Sequence, residues 1–383
     1  MYRKFKADNI FTGRHLLPAG QVLVTSAEGK IKEIIPDADA GDDVEIYQGI
    51  LCPGFINCHC HIELSHLHGQ IAEHTGLVSF VQQVMSKRHA TPEHKQQSML
   101  QAQNELWQSG TMAIADICNT ADSVTLKQQS NLYWHNFMEV AGFDDAGALN
   151  RFTNATNLQN EFIHAGLLAY ITPHAPYSVG KKLFDLINNA TAKQLISIHN
   201  QETRDENNLY KNKTGDFLSL YKNAGIDISS FSPTGLTSLQ SYAPYFTQQQ
   251  GLLLVHNSFT NQSDISFLAH TSNLSNYHFC ICINANLFIE NTLPPIEILI
   301  DNNCHIVLGT DSLASNHCLN MFEEIKTIQK HYPGIALEKI LQWATLNGAQ
   351  TLGIQDKFGS FDTGLQPGIL HINHQANAVT RII

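Results

Sequence analysis

The sequence predicts an α/β protein: a (β/α)₈ barrel joined to a small β-sandwich made from both chain ends. Three observations carry that expectation. From about residue 50, short apolar runs alternate with longer helical patterns, the grammar of βαβ units and a parallel sheet. There are eight such runs, and each ends in polar residues. Both ends of the chain follow a different grammar, short alternating strands with Gly and Pro turns. An open doubly wound sheet is the alternative for the central part.

Residues 1–53 hold AGQVLVT, GKIKEIIP and DVEIYQG, each strand-like and bounded by turns. The eight runs follow: ILCPGFINCHC, TMAIADIC, LYWHNFMEV, LLAYITPH, LISIHN, LLLVHN, FCICINAN and HIVLGTD. Helical patterns separate them, such as HKQQSMLQAQNELWQSG after the first and KLFDLINNATAKQ after the fourth. Segment 203–250 is polar and irregular and reads as a long loop or lid. After about 353 the turn-rich strand grammar returns in KFGSFDTGLQPGILHIN. The expected division is a composite β-sandwich from 1–53 and 353–383, with the barrel over 54–352.

With 23 basic and 34 acidic residues the formal charge is −11, which argues against a nucleic-acid partner. A small-molecule substrate fits instead. No run of about 18 apolar residues suggests a membrane span. The N-terminus lacks the apolar region of a signal peptide. Eight Cys without a regular spacing read as reduced thiols, so a cytoplasmic setting is expected. A homodimer stays open.

The polar strand ends concentrate chemistry. They include His59 with His61, Asp116, Glu139, His174, His199, His256, Asn284 and Asp311. Barrel active sites lie at these C-terminal ends. In NCHCHIELSHLHG, residues i and i+2 of a strand share a face, so His59 and His61 point together. Cys58 and Cys60 then face outward against helices, as small buried hydrophobes rather than ligands. His199, with Glu202 three residues on, His256 and Asp311 end other strands. Three His and one carboxylate from different strands can meet at one Zn²⁺ that keeps an open position.

The pieces PGFINCHCHIELS, TPHAPYS, HNQET, LVHN, CINANL and LGTDSLASN resemble the amidohydrolase superfamily. They are similar to its one-metal subgroup of nucleoside and nucleobase deaminases, over nearly the full length. The resemblance implies His59, His61, His199 and Asp311 as ligands of one Zn²⁺ per chain, with Fe²⁺ or another divalent transition ion as substitutes. It implies that His256 and Asp311 hold the attacking water, that Glu202 shuttles protons and that His174 touches substrate. IELS, with Glu63 and Ser65, resembles deaminases of modified adenosines: the aminodeoxyfutalosine, adenosylhomocysteine and methylthioadenosine deaminases. Asn286 and Ser315 join the expected substrate contacts. Arg88 is the expected partner of a substrate carboxylate.

Two departures from the family pattern stand out. Strand four ends without the Lys that bridges two metals in relatives; Glu139 could bridge in principle, but HxxE is the one-metal signature. CINAN has Ile283 where the family often has Pro. The expected activity is zinc-dependent hydrolytic deamination of an aminopurine nucleoside. A chlorohydrolase or other C–N hydrolase of a different heterocycle, and a catalytically silent metal-binding barrel, are the alternatives.

Overall fold

The computed structural model describes residues 2–373 and 377–383. Residues 374–376, inside the expected C-terminal β unit, lie outside the described residues. The centre carries eight strands: β1 Phe55–Cys60, β2 Thr111–Cys118, β3 Tyr133–Val140, β4 Ala169–Pro173, β5 Leu195–Asn200, β6 Gly251–His256, β7 Tyr277–Ile281 and β8 His305–Leu308. Strands β1–β4 form one four-stranded sheet and β5–β8 a second. Sequential neighbours pair in parallel throughout.

Backbone hydrogen bonds cross both seams between the sheets. His199 N donates to His174 O at 3.0 Å, beside the end of β4. Thr310 N and Asp311 N each donate to His59 O at 3.0 Å, joining the end of β8 to β1.

The LLLV run of β6 shows why these strands read as continuously apolar. Leu252 and Leu254 pack with Leu183, Phe184 and Ile187 of a helix. Leu253 and Val255 pack with Ala113, Ala115, Cys280 and Val307 of other strands. Alternate residues face opposite sides, and both sides are buried. Helices start where the sequence caps them. Pro92–Gln108 begins with Thr91 accepting from His94 N and with Pro at the first turn. Gln262–Thr271 begins with a reciprocal Asn261/Asp264 capping box.

The chain ends form two further sheets. One has strands 31–36, 21–26, 2–6 and 44–46 in spatial order; the other has 378–381, 369–373, 50–53, 9–11 and 16–17. Phe5, Leu23 and Ile31 of the first share a core cluster with Ile10, Leu51 and Ile369 of the second.

The structure corrects four readings. The run ILCPGFINCHC is two strands, because Ile50–Pro53 pairs with Ile369–Asn373 and only Phe55–Cys60 joins the parallel sheet. Gly54 sits at the break, where a Cβ would collide with the Met112 side chain and Pro367 O. Cys58 does not pack outward. It lies among Ala113, Ala115, Val255 and Cys280 of neighbouring strands, whereas Cys60 packs on Met99, Ala102 and Leu106 of the helix. The β1–β2 register shifts between Asn57 and Cys60, which breaks simple alternation. Segment 203–250 contains helices Arg204–Asn212, Phe217–Ala224 and Ser238–Tyr242. Asn284 lies inside helix Ile283–Glu290 and donates to Glu324, away from the strand ends.

All eight Cys are free thiols. Among the described residues no helix is long and apolar enough to cross a membrane.

Candidate metal centre

Four donors meet where the two sheets join. His61 Nε2 lies 3.1 Å from His59 Nε2 and 3.3 Å from His199 Nε2. Asp311 Oδ1 lies 3.4 Å from both His59 Nε2 and His61 Nε2. Ligand bonds of about 2.0–2.1 Å in tetrahedral geometry place donors about 3.3 Å apart, so this spacing suits one Zn²⁺-sized ion. No Cys joins the metal-competent groups among the described residues.

The donors are presented in ligand form. Burial lowers the His61 pKa, and neighbouring His59 adds to it. Burial, then the surrounding imidazoles, puts His199 well below its ordinary range. Neutral rings keep the lone pairs a metal needs. Burial alone would raise the Asp311 carboxyl, but the His59 hydrogen bond and the nearby rings outweigh it and hold it ionised.

Partners outside the cluster fix orientation. His199 Nδ1 donates to His174 O at 2.7 Å, which turns Nε2 to the centre. Ser315 donates its hydroxyl to Asp311 Oδ2. Asp311 has a left-handed backbone, φ 57°, held by the His59 contact. Behind His61, Ile62 N donates to Asp116 Oδ1 at 2.9 Å, and Asp116 is paired with fully buried Lys127 at 2.5 Å.

Glu202 and His256 flank the donors. Glu202 Oε1 lies 3.5 Å from His256 Nε2. Burial, with Asp311 close by, raises the Glu202 carboxyl well above its ordinary range. Burial lowers His256 to about 4. Asn286 Nδ2 donates to His256 O at 3.1 Å, so its Oδ1 accepts from His256 Nδ1 at 2.9 Å. The His256 Nε2 lone pair therefore faces Glu202 and the donors.

The remaining expected residues divide. His174 sits beside His199, with ring centroids 4.9 Å apart. Arg88 caps the helix Leu77–Lys87, is exposed, and has no side-chain hydrogen bond or ion pair among the described residues. It lines a pocket with His61, Glu63 and Lys95. Four other expected substrate contacts, Glu63, Ser65, Asn286 and Ser315, are occupied. The Glu63 carboxylate accepts from Asn119 N and Thr120 N at 3.1 and 3.2 Å. Ser65 donates to Ile62 O at 2.7 Å and closes its own turn. Both amide atoms of Asn286 serve His256, and Ser315 serves Asp311. The Glu63 and Asn286 contacts are tertiary, which motif position does not reveal, whereas those of Ser65 and Ser315 are local.

Sequence reasoning missed three supports: Asn119, Lys127, and Ser178, whose hydroxyl lies 2.6 Å from His174 Nδ1. Ser178, four residues after His174 in TPHAPYS, was the one with a local signal. Among the described residues two further potential donor groups overlap these four donors: His59, His256 and Asp311, and Glu139, His174 and His199, which shares His199. The His199 Nδ1 hydrogen bond to His174 O leaves it unsuited to a second ion.

Comparison with known proteins agrees with this architecture. Residues 50–373 match the amidohydrolase family model. A 5-methylthioadenosine/S-adenosylhomocysteine deaminase of Teredinibacter turnerae is 26% identical over 381 aligned positions, covering 90% of this chain and 77% of its own. The Helicobacter pylori aminofutalosine deaminase structure superposes with a TM-score of 0.80 at 20% identity, covering 100% of both chains. A zinc-bound adenosine deaminase of Xanthomonas campestris gives 0.70 at 21% identity, covering 96% of this chain and 83% of that one. The family match runs through every strand that contributes a donor, and the chain belongs to the amidohydrolase family, hydrolases acting on C–N bonds.

Proposed function

We propose that this chain is a zinc-dependent hydrolytic deaminase of an aminopurine nucleoside, releasing ammonia. In this reading residues 54–352 form a closed (β/α)₈ barrel whose strand ends carry the site. Residues 1–53 and 353–383 form a composite β-sandwich. The observation that carries the reading is the pairing of a metal-competent donor set with the Glu202 carboxyl, buried 3.5 Å from His256 Nε2 and pushed by burial above its ordinary range. The deaminase relatives add support.

His59, His61, His199 and Asp311 would hold one ion. When bound, it supplies Lewis acidity that makes water nucleophilic near neutral pH. His256, through Nε2, and Asp311 accept the hydrogen bonds of that water and aim it. Glu202, as a carboxylic acid, gives its proton to the ring nitrogen next to the amine-bearing carbon. Oxygen adds to that carbon, one of the water's protons passes to the amine through Glu202, the C–N bond breaks, and the other proton returns to Glu202. The products are the 6-oxo ring and ammonia. Acid–base groups so placed contribute roughly 10²–10⁴-fold.

The test is a panel of aminopurine nucleosides with ammonia detection on zinc-loaded protein. Ammonia release from at least one nucleoside is expected. Zinc-bound protein inert on the whole panel would sink the reading; release of chloride from a halogenated heterocycle would replace it.

A further inference from the structure

Beside the donor cluster lies a group of acceptors with no use in the chemistry above. Glu139, near the end of β3, has a side chain only 8% exposed. Its Oε2 accepts from Asn119 Nδ2 at 3.0 Å. Its Oε1 is buried and has no hydrogen-bond partner among the described residues. It stands 3.7 Å from His199 Nδ1, which is already committed to His174 O. Natural structures rarely leave a buried carboxylate oxygen unmatched unless something else fills the position.

His174 supplies the second acceptor. Ser178 Oγ donates to Ala175 O at 3.1 Å, so the 2.6 Å contact with His174 Nδ1 has the ring as donor. In the neutral ring Nε2 is then a lone pair. His174, Glu139 and His199 each bring a donor or acceptor atom within 4.8 Å of the others. With His199 spoken for, the open groups are an imidazole nitrogen and a carboxylate oxygen. Both accept, and neither donates. A ligand that satisfies both would offer two hydrogen-bond donors close together, beside the metal donors with which this group shares His199.

We propose that Glu139, with His174, is a specificity-determining residue that reads two neighbouring hydroxyls on the sugar of the substrate. This rests on the nucleoside reading above. A sugar diol offers two O–H donors on adjacent carbons and leaves Asn119 in place on Oε2. Removing either hydroxyl leaves a buried acceptor unmatched, which a binding site penalises far more than lost contact area.

The experiment compares adenosine, 2′-deoxyadenosine and 3′-deoxyadenosine on zinc-loaded wild type and on Glu139→Gln. Wild type is expected to favour adenosine in kcat/KM by about tenfold or more over at least one deoxy analogue. Glu139→Gln, whose amide presents a donor as well as an acceptor, should bring that ratio to within about threefold while retaining one metal per chain. A wild type that turns over all three equally overturns the proposal without any variant. So does an unchanged ratio in Glu139→Gln. Loss of metal in the variant also overturns it, because Glu139 would then belong to the ion. Wild type inert on these and on every other nucleoside tested sinks the deaminase reading itself, and the proposal with it.

Discussion

Glu202 is the residue on which a deaminase reading turns. It is fully buried against His256 and is not among the donors at the centre. Glu202→Gln is therefore expected to keep fold and metal while turnover falls by roughly 10² or more, since an amide cannot relay a proton. Metal analysis beside steady-state rates checks it; near-normal rates would remove the proton-relay role. Arg88 carries a different question. Its guanidinium is unpaired among the described residues and shares a pocket with His61. Arg88→Ala should weaken nucleosides with a distal carboxylate by about 1–2 kcal/mol, the range for a charged hydrogen bond at an exposed site. Adenosine should change little. Equal loss on both substrate types would assign Arg88 to the fold.

The elements explain how the sequence could reveal the donors but not their supports. His59, His61, His199 and Asp311 end strands whose apolar runs are legible, so their convergence follows from topology. Asn286 and Ser315 stand in motifs too, yet each spends its polar atoms on a neighbouring donor or base, a fact of three-dimensional contact. The β1–β2 register shift moved Cys58 between clusters, and a shift in pairing needs the partner strand to be seen. Helices 204–212 and 217–224 escaped because each is two to three turns long. Their buried Leu209, Tyr210, Phe217 and Tyr221 pack on Leu67, Ile71 and Leu77, far away in sequence. Tyr210 OH and Tyr221 OH further bind Pro176 O and Tyr177 O after β4, so this is a docked layer rather than a loose lid. The Asp116–Lys127 pair is an element-scale support of the same kind. It ties the end of β2 and the following helix to the backbone just past His61. Both side chains are 0% exposed. Asp116→Asn would strand a buried ammonium and should cost about 3–5 kcal/mol in urea unfolding. Asp116→Leu with Lys127→Met should cost less than the single change; a harmless single change would mean water reaches Lys127.

At the scale of the whole molecule, the metal donors come from both four-stranded sheets. His59 and His61 belong to the β1 side, while His199 lies in β5 and Asp311 follows β8. The backbone bonds at the seams involve three of these donors, His59 bonded to Asp311 and His199 to His174. A bound ion would therefore connect the seams at the points where the sheets meet, and unfolding would have to release it. Binding to the folded form alone stabilises by about 2.7 kcal/mol at free ion one hundred times Kd. Zinc is thus expected to raise Tm in a concentration-dependent way, and a chelator to reverse it. His59→Ala and Asp311→Ala should abolish the dependence. Glu202→Gln should retain it, although its turnover falls, because the carboxyl lies against His256 and is not among the metal-competent donors. A Tm insensitive to zinc in wild type, or a shift that survives in both ligand variants, would place the ion elsewhere.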